Sequence, residues 1–157
     1  MARKQKLWLD NNVLNYFCKA GCLQQLLAIP NYDFATTSYI QLELEEGVRA
    51  GVMSLNVALA AIQQGVIQVY DTNVPPLCNV PTVEGDESLK LCVEHYGGFV
   101  LTHDKSLINN LQRMNLGCIP FKDFLQKALK SGWLNREKVN LLCRLAGIKN
   151  SSYSRNG

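Results

Sequence analysis

Two apolar runs in this chain each stop on an aspartate. Leu7-Trp8-Leu9 stops on Asp10, and Phe99-Val100-Leu101-Thr102-His103 stops on Asp104. Each reads as a short strand, and helical patterns lie between them. Strands that alternate with helices fold into a parallel sheet covered on both faces, because each parallel crossover needs a helix to return the chain. The expectation is an α/β fold of three layers, α/β/α. Its doubly wound parallel sheet has about four to five strands, with extra helices at the C-terminus.

After Asp10, Asn11 or Asn12 can cap a helix carrying Val13, Leu14, Tyr16, Phe17 and Cys18 and stopping near Gly21. A short helix over 23–27 ends before Pro30, and Asp33-Phe34-Ala35 is a weak strand signal. Ser38 with Gln41 fits a capping box for a helix ending near Glu46, with Gly47 as its stop. A helix over 54–64, a strand over 66–70 and a proline-bearing loop over 71–81 follow. Asp86 to Tyr96 places Leu89, Cys92, Val93 and Tyr96 on one helix face. The pattern then predicts a helix over 107–114, a short strand at Cys118-Ile119, and two closing helices over 121–130 and 135–146. One domain over 1–149 is expected, with a core over 7–130, a helical extension over 131–149 and a flexible tail over 150–157.

The chain is 47% hydrophobic and 18% charged, which excludes a disordered polyelectrolyte. No apolar run approaches the roughly 18 residues needed to span a bilayer, and Asp10 interrupts the N-terminal run too early for a signal peptide. A cytoplasmic protein away from the membrane is expected. Its six cysteines then read as thiols, and Cys18 with Cys22 lacks a second Cys/His pair at zinc spacing. Charge is uneven. Eight Lys/Arg against Asp123 and Glu137 leave +6 on residues 121–157, so residues 1–120 carry −3 of the net +3. An acidic front beside a basic flank suits a metal site next to a polyanion, although solvated helix faces explain the same numbers.

In open parallel sheets the functional crevice lies at the carboxyl ends of the strands. Asp10 and Asp104 fall on that edge. Glu43 lies about one helical turn into the crossover after the second strand, and Asp86 opens a helix. Singly, each acid has a bland role: a helix cap for Asp10 or Asp104, a solvated helix residue for Glu43 beside Glu45 and Glu46, first-turn charge for Asp86 beside Glu87. Together they repel one another unless a cation joins them, and a hard divalent ion implies chemistry on phosphate. Other chemistries lack their motifs. Asn12 stands where a phosphoaspartyl hydrolase wants its second aspartate. There is no GxGxxG, GxxxxGK[ST] or GxSxG. His95 reads as a C-terminal helix charge, and His103 is a weak candidate for facing the crevice.

These residues resemble the PIN-domain ribonucleases. Leu9-Asp10-Asn11-Asn12-Val13-Leu14 is similar to that family's opening turn, with Asn11 where Ser or Thr is usual. Ser38-Tyr39-Ile40-Gln41-Leu42-Glu43-Leu44 is similar to its second motif, and Thr102-His103-Asp104-Lys105-Ser106-Leu107 to its closing one. Gly85-Asp86-Glu87 matches the third acidic position, with Glu84 and Glu87 as competitors. The resemblance covers about residues 7–130. It implies hydrolysis of RNA phosphodiesters dependent on Mg²⁺ or Mn²⁺, with Asp10, Glu43, Asp86 and Asp104 as catalytic and metal-binding acids. Asn12, Ser38 and Thr102 would orient them, and Lys105, Lys122, Lys127 and Lys130 would contact the RNA. Many short members are toxins of toxin–antitoxin pairs, often homodimeric, so an antitoxin protein and a second copy are the implied partners. A non-catalytic module of the same fold and a DNA or structure-specific nuclease are the alternatives.

Overall fold

The computed structural model of the chain describes residues 4–71 and 84–149. Five strands form a single sheet: β1 (Gln5–Leu9), β2 (Tyr32–Thr37), β3 (Gln68–Tyr70), β4 (Phe99–Thr102) and β5 (Cys118–Pro120). Their order is β3-β2-β1-β4-β5, and every neighbouring pair is parallel. From β1 the chain first adds strands on one side and then returns to add β4 on the other. The order therefore reverses between β1 and β4, which is where open parallel sheets hold their ligands.

Helices complete the three layers: α1 (Asn11–Lys19), α2 (Leu23–Leu27), α3 (Ser38–Arg49), α4 (Asn56–Gln63), α5 (Glu84–Tyr96), α6 (Lys105–Arg113), α7 (Phe121–Lys130) and α8 (Arg136–Ala146). Leu7, Trp8 and Leu9 are all fully buried, because the central strand is covered on both faces. Tyr32, next to β1, meets Phe124 of α7 on one side of the sheet. Trp8 meets Tyr70 and, from α5, Tyr96 on the other. α8 packs on α1 and α7. Its Val139, Leu142 and Cys143 enter the same core, and Lys138 Nζ donates to the Ala20 carbonyl at 2.9 Å.

Several boundaries differ from expectation. β2 extends through Thr37, so Thr37 and not Ser38 caps α3, accepting from the Ile40 amide at 3.2 Å. Gly47 does not end that helix. It lies inside it, because Leu55 from the 3-10 turn Met53–Leu55 packs where a Cβ would stand. The helix expected over 54–64 accordingly opens as this turn before α4 begins. Gly98 is glycine for two reasons: φ is +89°, and a Cβ would strike the Lys6 backbone carbonyl as β4 comes alongside β1. Residues 72–83, which hold Cys78 and most of the expected proline loop, and the expected tail 150–157 lie outside the described residues. Cys18, Cys22, Cys92 and Cys143 are buried thiols. No described helix is long and apolar enough to cross a membrane.

Candidate functional site

Five helices, α1, α3, α5, α6 and α7, begin at the carboxyl edge of the sheet, and α1, α5 and α6 bring Asp10, Asp86 and Asp104 there. Asp10 caps α1: its Oδ1 accepts from the Asn11 amide at 2.7 Å. Asp104 caps α6: its Oδ1 accepts from the Ser106 and Leu107 amides at 2.9 and 3.3 Å. Asp86 lies in the first turn of α5. The positive ends of these helix dipoles favour carboxylates, which is why the local sequence tolerates acids there.

Thr102 joins the two strand-end acids. Its hydroxyl donates to Asp10 Oδ2 at 2.7 Å and accepts from the Asp104 amide at 3.1 Å. Asp10 is only 5% exposed, and Thr102 is fully buried. Thr102→Val keeps the shape but removes both bonds, so the fold should lose about 1–3 kcal/mol at neutral pH. The denaturant midpoint measures this, and an unchanged midpoint would show that the pair does not orient Asp10.

Glu43 is solvent-accessible as a residue, yet its carboxylate lies against α1 and α5. Asn11 Nδ2 donates to Glu43 Oε2 at 3.0 Å. On the other side Glu43 Oε1 sits where a Gly85 Cβ would be, so the glycine before Asp86 is what lets α5 approach α3 here. A buried hydroxyl chain holds that turn. Thr37 Oγ1 lies 2.7 Å from Ser88 Oγ, which donates to the Gly85 carbonyl at 2.7 Å. With the Ser88 proton so used, Thr37 is the donor to Ser88.

The charges record how close the acids are. Burial pushes Asp86 up to about 7, helped by the charges of Asp10, Asp104, Glu43 and Glu87 in that order. Burial raises Asp10 as well, against the Thr102 and Asn11 hydrogen bonds, with Asp104 adding to the rise. Glu43 is raised first by burial, opposed by Asn11 and augmented by Asp10 and Glu46. Among the described residues, each charge that raises Asp86, Asp10 or Glu43 is another carboxylate. Tyr16 of α1 also feels Asp10: burial and then that charge raise its phenol.

Oxygen donors carrying this much uncompensated charge fit a hard divalent cation in kind. Among the described residues, no three Asp, Glu, His or Cys groups stand placed to hold one ion together.

Of the expected supporting residues, Thr102 meets an acid directly. Asn12 is exposed, and Asn11 makes the carboxylate bond instead. Ser38 Oγ donates to Asp71 at 3.2 Å and not to any of the four acids. Glu87 pairs with Lys90 at 3.0 Å, and of the charges raising Asp86 its own is the smallest. His103 points away: its Nε2 lies 3.0 Å from the Ala146 carbonyl, and its ring packs near Tyr16 and Phe121. Asn11, expected as a helix cap, instead donates to Glu43 while Asp10 takes the cap, and Thr37 and Ser88 join the supporting residues.

The basic residues divide by position. Lys105 is exposed beside Asp104, and Lys122 is the second residue of α7, at the same edge of the sheet. α7 then runs back. Lys127 lines a groove with Gln5, Asn31, Tyr32 and Phe99 at the amino ends of β1, β2 and β4, and its Nζ sits 5.6 Å from the Trp133 ring centre. Lys127, and Lys130 in the same last turn, are thus carried to the end of the sheet opposite Asp10.

No protein-family model matches the chain, and comparison with curated protein sequences finds no relative. Solved structures do resemble it. The PIN domain endonuclease Utp24 superposes with a TM-score of 0.53 at 15% identity, covering 69% of this chain and 78% of that one. A domain of a functionally unknown protein from Methanocaldococcus jannaschii superposes with a TM-score of 0.54 at 14% identity, covering 74% and 90%. At such identities the likeness is one of fold, and it supports a PIN-like fold for this chain: a five-stranded parallel sheet between two helical layers.

Proposed function

We propose that this protein is a metal-dependent endoribonuclease that hydrolyses phosphodiester bonds in single-stranded or structured RNA. The observation that carries the reading is the crowding of Asp86 by the charges of Asp10, Asp104 and Glu43 at the point where strand order reverses. Asp10, Asp86 and Asp104 would share one or two Mg²⁺ or Mn²⁺ ions, with Glu43 direct or through water. The bound ion supplies charge against the phosphate oxygens and acidifies a water. Thr102 orients Asp10, Asn11 orients Glu43, and Lys105 and Lys122 stand where a phosphate backbone would pass.

The test is cleavage of labelled RNA and of a matched DNA with Mn²⁺, Mg²⁺ or chelator. Metal-dependent cutting of RNA is expected. Cutting of DNA alone would point to a deoxyribonuclease, and no cutting of either would sink the nuclease reading. The spacing of the acids favours one rival, a binding module that keeps them for a partner. Calorimetry separates the two, since that module would not take up Mn²⁺ in an Asp10-dependent way. A toxin role is the finer form of the proposal. An antitoxin or a second copy would then cover the exposed Val57 and Val66 beside the groove between α2 and α4, and light scattering reads a dimer directly.

A further inference from the structure

An aromatic cluster the acids do not use starts at the same edge of the sheet and runs away from it. Tyr70 ends β3, in register with Thr37 of β2. Its ring centre lies 4.9 Å from Trp8 and 4.8 Å from Tyr96. Tyr96 lies 6.1 Å from Trp8 and 4.6 Å from His95. Trp8 is fixed, buried and donating Nε1 to the Gly97 carbonyl at 2.9 Å. Lys6 is built into the cluster. Its Nζ donates to Tyr70 OH at 2.6 Å and lies 4.8 and 5.7 Å from the Tyr70 and Trp8 ring centres. It makes no ion pair with Asp33, its neighbour in the strand register. Tyr96 nevertheless remains 51% exposed.

We propose that Tyr96, braced by Trp8, Tyr70 and His95, is a stacking platform for an unpaired base of a single RNA strand. The proposal rests on the nuclease reading above and names how its substrate is held. Three features favour a base over a protein partner. Tyr96 leaves about half of one aromatic residue to solvent, on the order of what one base covers. Its chain neighbours His95 and Gly97 are exposed and not apolar, and the other exposed large hydrophobic residues belong to other elements. A protein contact needs a broader desolvated centre. α5 also carries both features: Asp86 is in its first turn and Tyr96 is its last residue, about 15 Å along the axis. A strand lying along that helix would meet the acids and the ring in turn. The ring is pre-ordered by its neighbours, so stacking costs little side-chain entropy.

The experiment uses the full chain under chelator, which separates binding at the platform from the metal site. The probe is a fluorescein-labelled oligouridylate about a dozen nucleotides long, beside an abasic oligomer of equal length. Stacking contributes about 1–3 kcal/mol per base, so Tyr96→Ala should weaken Kd by about 5- to 150-fold while Tyr96→Phe changes it little. The abasic oligomer should bind the unaltered chain no better than oligouridylate binds Tyr96→Ala. Should alanine disturb packing on Trp8, Tyr96→Leu against Tyr96→Phe makes the same comparison at similar bulk. Equal affinity for the Ala and Phe variants, equal affinity for the abasic strand, or absence of RNA binding overturns the platform. So does a Tyr96-dependent protein contact without RNA binding. Asp10-dependent cleavage with Tyr96-independent binding would remove the platform and leave the nuclease. Tyr96-dependent binding without any cleavage would do the reverse.

Discussion

Asp10→Asn and Asp104→Asn should each lower metal-dependent RNA cleavage by on the order of a thousandfold, with the fold intact. The two differ in how they act. Asp10 is 5% exposed and already accepts from Thr102 and the Asn11 amide, so asparagine keeps the cap oxygen but removes the charge from the centre of the crevice. Asp104 keeps its capping geometry as asparagine too, since Asn caps helices as well as Asp. A thermal midpoint close to the parent would therefore accompany the lost cleavage in Asp104→Asn, whereas in Asp10→Asn the amide NH₂ meets the Thr102 hydroxyl and lowers the midpoint modestly. Retained activity in both variants means that another site, or a contaminant, does the cutting. Because Mn²⁺ would sit among the acids, its calorimetric binding should fall in step.

The second large effect is on stability. Without metal, the fold should be more stable near pH 5 than near pH 8. Asp86 is pushed up to about 7 in the fold from the ordinary aspartate value of 3.8. Between those two values the folded chain binds more protons than the unfolded one. Stability therefore falls as pH rises through this window and levels off above about 7. Asp10 and Glu43 are raised as well and act in the same direction. Asp86→Asn should flatten the profile and raise the midpoint at pH 8. Mg²⁺ or Mn²⁺ should do likewise for the unaltered chain, by offsetting the same charge and displacing protons. Thermal melts from pH 5 to 8, with and without metal, measure this. A midpoint that rises steadily to pH 8 under chelator would show that the acids are not in fact crowded.

Asp10 and Asp104 were legible because an acid directly after an apolar strand must fall at the strand's carboxyl end. Asp86 and Glu43 needed the spacing of a whole motif set, since neither Glu84, Glu87, Glu45 nor Glu46 differs from them in local pattern. Asn11 against Asn12 was not legible. Consecutive helix residues point about 100° apart, so the choice depends on how α1 rolls on α3. Ser38 does not cap because β2 runs two residues beyond Ala35, and capping passes to Thr37. Gly47 looked like a stop because a glycine after a helical run usually is one, and only Leu55 packed against it explains its place inside α3.

Strand and helix periodicity, with acids and turn residues at their boundaries, is local information. It was enough to assign a parallel three-layer sheet and to put carboxylates on one edge of it. Which charges meet is a long-range question. α7 runs antiparallel to the strands, and that direction carries Lys127 and Lys130 off while leaving Lys105 and Lys122 at the crevice. Thr102 reaches Asp10 only because β4 lies beside β1, and Ser88 reaches Thr37 only because α5 lies beside α3. The crowding that raises Asp86 arises in the same way, from residues up to 76 positions apart in the chain brought together by the order of the strands.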